Sequence, residues 1–556
     1  MKKFLALMLA LVLVMSLAAC GMTANRSQEK ISNISQAEML NSGSEPATDT
    51  SISAGEATGA FALSTADGSF TGADNIYTIT SSGTYVLTGL LEGQILVSAG
   101  EDDEVILELT GCTITCGQDS PIKILSAGKV EISAKSGTEN VINDTRSAKS
   151  DTDSDQGDGA IYAVCDLKIK GSGTLVINAG YNNGIYTTKD LKIQKLSLKC
   201  TAYNNALKGN DSITIQSGTV AAISTNGDGM KTENTDVNKN GVTRGDITIS
   251  GGTVTVYAAG DGIQAAHNFV LTTGEDGNAP TVEIYTGSYS GYTASDASTT
   301  SYKGVKVRNE LNIESGSITI QSYDDGLHAD CGDAFEDGSK GLGSIHISGG
   351  TVTMGVYAPA NKTAGGMMGP GGWGSQQAVI GADGIHADGT LTISGGSVYI
   401  DSSYEGLEAN VINISGGTTR ISANDDGINA CKGSEVPAIN VTGGYLEVTV
   451  SANGDTDGID SNGSYIQTGG VVITKGPDSE NMSAIDADGS VTVSGGTLII
   501  LGYGRVSTGG NVRSVSLSLH SAGSHTVKID GVSYSFTNPS AYGRTICYSD
   551  SQVTAK

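Results

Sequence analysis

The stretch GADGIHADGTLTISGGSVYIDSSYEGLEANVINISGGTTRISANDDGINA, residues 381–430, alternates two short phrases. One is the DG phrase: ADGIHAD from Ala382, YEGLEAN from Tyr404, DDGINA from Asp425. The other is ISGG, at Ile393 and Ile414. The glycines Gly384, Gly406 and Gly427 recur at about 22 residues. Leu391 and Ile393 alternate with polar residues, Val398 and Ile400 do so after Gly395-Gly396, and Ile385-His386-Ala387 is a third short run. Period-2 runs broken by glycine corners are strands. Three strands per unit predict an all-β fold, a right-handed parallel β-helix, with one coil per unit. A single coil cannot bury its apolar face, so stability comes from stacked neighbours.

The phrases continue on both sides. ISGGTVTVYA starts at Ile249, ISGGTVTMGVYA at Ile347, VTGGYLEV at Val441 and VSGGTLII at Val493. GDGIQAA (Gly260), DDGLHAD (Asp324) and TDGIDSN (Thr456) repeat the DG phrase, with degenerate copies NNGIY (Asn182), NNALK (Asn204), GDGMK (Gly227) and SAIDAD (Ser483). Twelve coils align from Asp158 to Tyr503, a stack of roughly 55 Å at ~4.8 Å per coil. A β-propeller would need blades of ~40–45 residues with another signature. Insertions fall at Thr232–Gly245, Glu275–Tyr302, Gly332–Gly343 and Pro359–Ala378, where a solenoid carries flank loops.

Composition bounds the rest. Lys2-Lys3, the apolar run Phe4 to Leu17 and Leu17-Ala18-Ala19-Cys20 read as a lipoprotein signal peptide over 1–20, with Cys20 lipidated. Residues 21–75, rich in Ser, Thr, Asn, Ala and Glu, read as a flexible tether. Residues 76–556 are the β-helix: irregular first coils 76–150, regular coils 151–503 and a terminal cap 504–556. The expected location is the extracellular face of the cell membrane, reached through the lipid anchor only, with the protein a monomer. A net charge of −27 argues against nucleic acid and for cations. Seven irregularly spaced cysteines after Cys20 give no disulfide framework, and Cys112 and Cys116 flank Ile114 on one strand face as core residues.

Stacking turns equivalent positions into columns. The residue before the phrase glycine runs Asp158, Asn183, Asn205, Asp228, Asp261, Lys303, Asp325, Asp383, Glu405, Asp426, Asp457, Ser483. Neighbouring carboxylates ~4.8 Å apart repel by roughly 3–4 kcal/mol at an effective dielectric near 20, and by less than ~1 in water. A partly desolvated column therefore needs cations. Asp330 and Asp388 add carboxylates on two coils, and hard oxygen ligands favour Ca²⁺. Aspartates before glycine are also common for backbone reasons alone. Asp236, Asn238 and Asn240 before Gly241 match half of a calcium loop, with Asp246 following; Asp151, Asp153, Asp155 and Asp158 alternate similarly without the turn glycine.

Two residues after the glycine, an outward column runs Tyr162, Tyr186, Lys208, Lys231, Gln264, Lys306, His328, His386, Glu408, Asn429, Asp460, Asp486. Tyr162, Tyr186, Lys208 and Lys231 suit sugar rings and uronate carboxylates. His328 and His386, beside Asp330 and Asp388, are transition-metal candidates, or simply solvated. Trp373, in the insertion AGGMMGPGGWGS, is a candidate stacking platform or a loop aromatic folded on the flank.

YTITSSGTYVLTG from Tyr77, DDEVILELTGCTIT from Asp102 and the alternation after them resemble the bacterial carbohydrate-binding domain-containing β-helix proteins, similar in fold to calcium-dependent pectate lyases. The likeness covers roughly Tyr77 to Tyr503. It implies binding of extracellular polysaccharide (cellulose or acidic pectins), calcium held by solenoid aspartates, and no established lyase activity; the aspartate column matches in type only. Three functions compete. They are calcium-dependent, non-catalytic polysaccharide binding; a polysaccharide lyase acting on uronans, with Lys208 or Lys231 as base; and a structural adhesin or spacer.

Overall fold

The structure, a computed structural model, describes residues 52–150, 157–287, 301–332, 334–356, 382–454 and 456–555. All lie in the second of the chain's two units, Thr48–Lys556. Cys20, Trp373, Asp151, Asp153 and Asp155 are outside the described residues. No helix among them is long and apolar enough to cross a membrane.

Each coil contributes three strands, and each strand pairs in parallel with its equivalent one coil on. In one coil these are Asn183–Thr187, Asp190–Gln194 and Ser197–Ala202. They pair with Gly159–Ala163, Asp166–Gly171 and Thr174–Ala179 on one side. On the other they pair with Leu207–Gly209, Ser212–Ile215 and Thr219–Ser224. Three stacked sheets result, and the one built from the DG phrases is termed the ladder sheet, followed in chain order by the second and third sheets. The alternation works as it must in a strand: Ile185, Leu191, Ile193, Leu198 and Cys200 point inward and are fully buried. With their counterparts they form one continuous core from Ile79 to Ile500. The chain is therefore a parallel β-helix.

The Gly-Gly corners leave no choice of residue. Gly396 has φ +73°, and a Cβ on Gly395 would lie 2.3 Å from the Ser348 carbonyl oxygen of the preceding coil. Two strands, Ile385–Ile393 and Leu407–Ile414, pass from the ladder sheet into the second sheet, with a register slip between Ala387 and Thr390.

Parallel stacking begins before the DG phrases. Ile76–Ile79, Gln94–Ser98 and Ile122–Ser126 lead to Gly159–Ala163, with a slip between Val97 and Ser98. Both ends are closed by antiparallel strands, which remove the open sheet edge. Ala62–Thr65 pairs with Gly83–Glu92, and Thr545–Ser549 pairs with Thr497–Leu501. A small antiparallel sheet, Gly523–Ile529, Val532–Asn538 and Val553–Ala555, packs through Val527 and Phe536 on Tyr445, Ile473 and Ile499 of the third sheet. All seven described cysteines are free, and Cys112 and Cys116 are buried.

Candidate functional site

The column before each phrase glycine sits at the corner where the chain enters the ladder sheet. There, one side-chain oxygen is spent on the backbone. Asn205 Oδ1 accepts the Asp228 N–H at 3.0 Å, Asp228 Oδ1 the Asp261 N–H at 2.9 Å, and Asp261 Oδ1 the Lys303 N–H at 2.7 Å. Asp325 Oδ1 accepts the Asp383 N–H and Asp426 Oδ1 the Asp457 N–H, both at 2.8 Å. An asparagine supplies the same acceptor, which explains Asn183 and Asn205. Both the backbone reading and the cation reading of this column have physical content: Oδ1 ties coil to coil, while Oδ2 remains for another partner.

The second oxygen divides the column in two. In the earlier half two members meet built-in cations, Asp228 Oδ2 at 3.1 Å from Lys231 Nζ and Asp325 Oδ2 at 3.2 Å from Lys303 Nζ, while burial and the charge of Asp228 push Asp261 between them up to about 6. Burial disfavours the Asp325 anion, but His328 and Lys303 outweigh it and its pKa is lowered. In the later half, no lysine or arginine among the described residues pairs with Glu405, Asp426 or Asp457. Burial, followed by repulsion from Asp425, Asp457 and Asp460, pushes Asp426 up to about 8. Burial and the charge of Asp457 raise Asp460 to about 6, and Glu405 rises through burial and the charges of Asp383, Glu408 and Asp426. These anions lack compensation that a bound cation would supply.

The strand register confirms the outward column: Tyr162, Tyr186, Lys208 and Lys231 are successive neighbours, followed by Gln264 and Lys306. The Tyr162 and Tyr186 rings are 5.6 Å apart, and Lys208 Nζ lies 4.9 Å from the Tyr186 ring centre. Beyond them opens a cleft of about 360 Å³, lined by Asn205, Lys208, Asp228, Lys231, Glu233 and Lys306 among others. Lys208 and Lys231 thus share one cleft with Asp228 and Asp261. Glu233, which follows the strand, pairs with Lys208 at 2.7 Å; neither it nor Lys306 had been singled out, although Lys306 stood in the column. Burial disfavours the Lys231 ammonium, but Asp228, Glu233 and Asp261 outweigh it and raise its pKa.

The candidate calcium loop is a closed hairpin tip. Asn238 Oδ1 accepts the N–H groups of Asn240 (2.9 Å) and Val242 (3.1 Å), and Gly241 has φ +78°. Asp236 Oδ2 lies 3.8 Å from Arg244, and Asp246 Oδ1 meets His267 Nδ1 at 2.7 Å. Asp236 and Asp246 thus have separate partners, and Asn238 is spent on the loop's own backbone. Asp330 and Asp388 are drawn to the histidines instead: Asp330 Oδ2 lies 3.5 Å from His328 Nε2, and Asp388 Oδ1 3.3 Å from His386 Nε2. Asp383, His386 and Glu408 converge with donor atoms within 4.8 Å of one another, a grouping able to hold a metal ion. Glu408 was visible in the outward column as the neighbour above His386, but only the stacking brings its carboxylate to the imidazole.

A parallel β-helix with an aromatic and basic strip on one sheet and an acidic column beside it is a ligand-binding solenoid. The family model described as "Carbohydrate-binding domain-containing protein" matches residues 73–356 and 333–427, and the chain belongs to that family. A protein of the same description from Acetivibrio thermocellus is 42% identical over 117 residues, 21% of this chain and 41% of that relative's length. A solved structure of a polysaccharide lyase-like protein from C. thermocellum, a gadolinium derivative, is 34% identical, covering 45% of this chain and 90% of that one at a TM-score of 0.38.

Proposed function

We propose that this protein binds extracellular polysaccharide along the ladder sheet without cleaving it, with Ca²⁺ at the acidic half of the column. The carrying observation is the register-aligned strip Tyr162, Tyr186, Lys208, Lys231, which ends in the cleft shared with Lys306. Neighbouring tyrosines offer apolar faces to sugar rings, and the lysines offer charge to uronate carboxylates. The uncompensated oxygens of Glu405, Asp426 and Asp457 are the calcium ligands in this reading, which also favours acidic glycans bridged by the ion. Lipidation at Cys20 would hold the protein at the membrane's outer surface; Cys20→Ala should then release it into the medium.

The test is binding of the full chain to polygalacturonate and to cellulose, with and without EDTA. Lys208→Gln combined with Lys231→Gln should weaken uronan binding at least tenfold, and the chelator should weaken it further. Binding unaffected by both would overturn the reading. The cleft's pairing of lysines with carboxylates is also what a lyase would need. Unsaturated product absorbing in the ultraviolet from polygalacturonate would therefore replace the non-catalytic reading with lyase activity.

A further inference from the structure

Two coils carry the same phrase, DGLHAD at Asp325–Asp330 and DGIHAD at Asp383–Asp388, in different surroundings. In both, the histidine Nδ1 faces the column aspartate three residues earlier: 2.7 Å for His328 to Asp325, 3.2 Å for His386 to Asp383. Nε2 faces the aspartate two residues later in each copy. The rings are stacked 4.8 Å apart at 13°, each aimed at its own coil's carboxylates, so the two histidines do not share one ion.

The copies part at the position between imidazole and aspartate. In the first, Lys303 Nζ stands on Asp325 and supplies the positive charge. In the second, Glu408 Oε2 approaches His386 Nδ1 to 3.1 Å. No lysine or arginine among the described residues pairs with Asp383 or Glu408. We propose that Asp383, His386 and Glu408, with water as fourth ligand, form a site for a borderline transition metal of the Zn²⁺ class, separate from the calcium ligands Glu405, Asp426 and Asp457.

Three features select that chemistry. Donors around a tetrahedral ion at ~2.0–2.1 Å stand about 3.3 Å apart, close to the 3.1 and 3.2 Å separations from His386 Nδ1. One imidazole nitrogen and two carboxylate oxygens suit zinc, whereas Ca²⁺ takes six to eight oxygens. Asp388 on Nε2 is the carboxylate that fixes a metal-bound imidazole in place, and it is itself held by the Cys331 N–H at 2.8 Å.

The full chain, stripped with EDTA, would be titrated calorimetrically with Zn²⁺ in excess Ca²⁺, and with Co²⁺ followed by absorption. One equivalent of Zn²⁺ should bind despite the calcium. His386→Asn and Glu408→Gln should each weaken it at least tenfold, and Asp388→Asn about 10–100-fold, the usual scale for an outer partner. His328→Asn, which changes the twin phrase, should leave it within twofold. The Co²⁺ protein should show the visible absorption of a four-coordinate ion, which His386→Asn abolishes. No Zn²⁺ binding by the unmodified chain, binding indifferent to His386→Asn, or the weak spectrum of a six-coordinate Co²⁺ ion would overturn the proposal. Metal-free melting of each variant guards against misfolding, and glycan binding, assayed separately, stands or falls on other residues.

Discussion

Gly427 is glycine because the next coil leaves it no room. A Cβ there would stand 2.1 Å from Val448 Cγ1 and 2.5 Å from the Gly458 carbonyl oxygen. The phrase glycine thus permits the ladder sheet to approach the inward residue of the third sheet, while the preceding aspartate bonds to the coil above. Ala206 occupies the glycine's place in one coil, and the third-sheet residue in the Val448 column there is Ala222, which is smaller. In that coil the added methyl is matched by a smaller residue in the third sheet. Gly427→Ala should therefore destabilise the protein by roughly 1–3 kcal/mol through overpacking. In urea unfolding, Gly427→Ala with Val448→Ala should be less destabilised than the sum of the two single variants, because the added methyl enters the space that Val448 vacates. Strict additivity would show that the clash is relieved elsewhere.

The ladder column shows which features a sequence displays and which it hides. Its membership was legible because the same phrase recurs from coil to coil, and the register reproduces the outward column from Tyr162 to Asp460. Which oxygen each carboxylate spends was not legible, because that depends on the N–H of a residue about 22 or more positions away. Nor was the diversion of Asp246 to His267, or of Asp388 to His386, since spacing does not reveal a competing partner. The division of charge along the column has a measurable consequence. Asp426 has a folded pKa of about 8, raised by burial and neighbouring carboxylates, against an ordinary value near 4. The folded state then binds more protons than the unfolded chain between those limits. Its stability contribution is fully present below about pH 4 and is lost as pH rises toward 8. In EDTA the melting temperature should fall from pH 5 to pH 8. Saturating Ca²⁺ should flatten that fall, and Asp426→Asn should reduce it. A chelator-insensitive profile would place the charge compensation elsewhere.

Across the whole described body, stability is close to a sum of coils and their interfaces, so damage should stay near its origin. The C-terminal cap is the strongest case, and the sequence concealed its attachment because the contacts join remote segments of unlike pattern. Lys475 lies on the outer face of the third sheet with its side chain fully buried, bonded to Glu447 Oε1 at 2.6 Å and to the Thr537 carbonyl at 3.0 Å. Glu447 also receives Arg420 at 3.0 Å and the Tyr445 hydroxyl at 2.9 Å, and Phe536 packs over the ammonium at 5.3 Å. Burial lowers the Lys475 pKa in spite of Glu447, so its charge is maintained at a cost that only the full set of partners offsets. Lys475→Met leaves Glu447 buried with only Arg420 and the Tyr445 hydroxyl, and the Thr537 carbonyl without the Lys475 donor. Removing one member of such a buried pair costs about 3–5 kcal/mol. Because each coil touches only its neighbours, hydrogen exchange should accelerate in Gly523–Ile529, Val532–Asn538 and Thr497–Leu501. It should stay unchanged in Asn183–Thr187 and Ser197–Ala202, far along the stack. Faster exchange throughout would instead mean that the cap holds the whole solenoid in one cooperative unit.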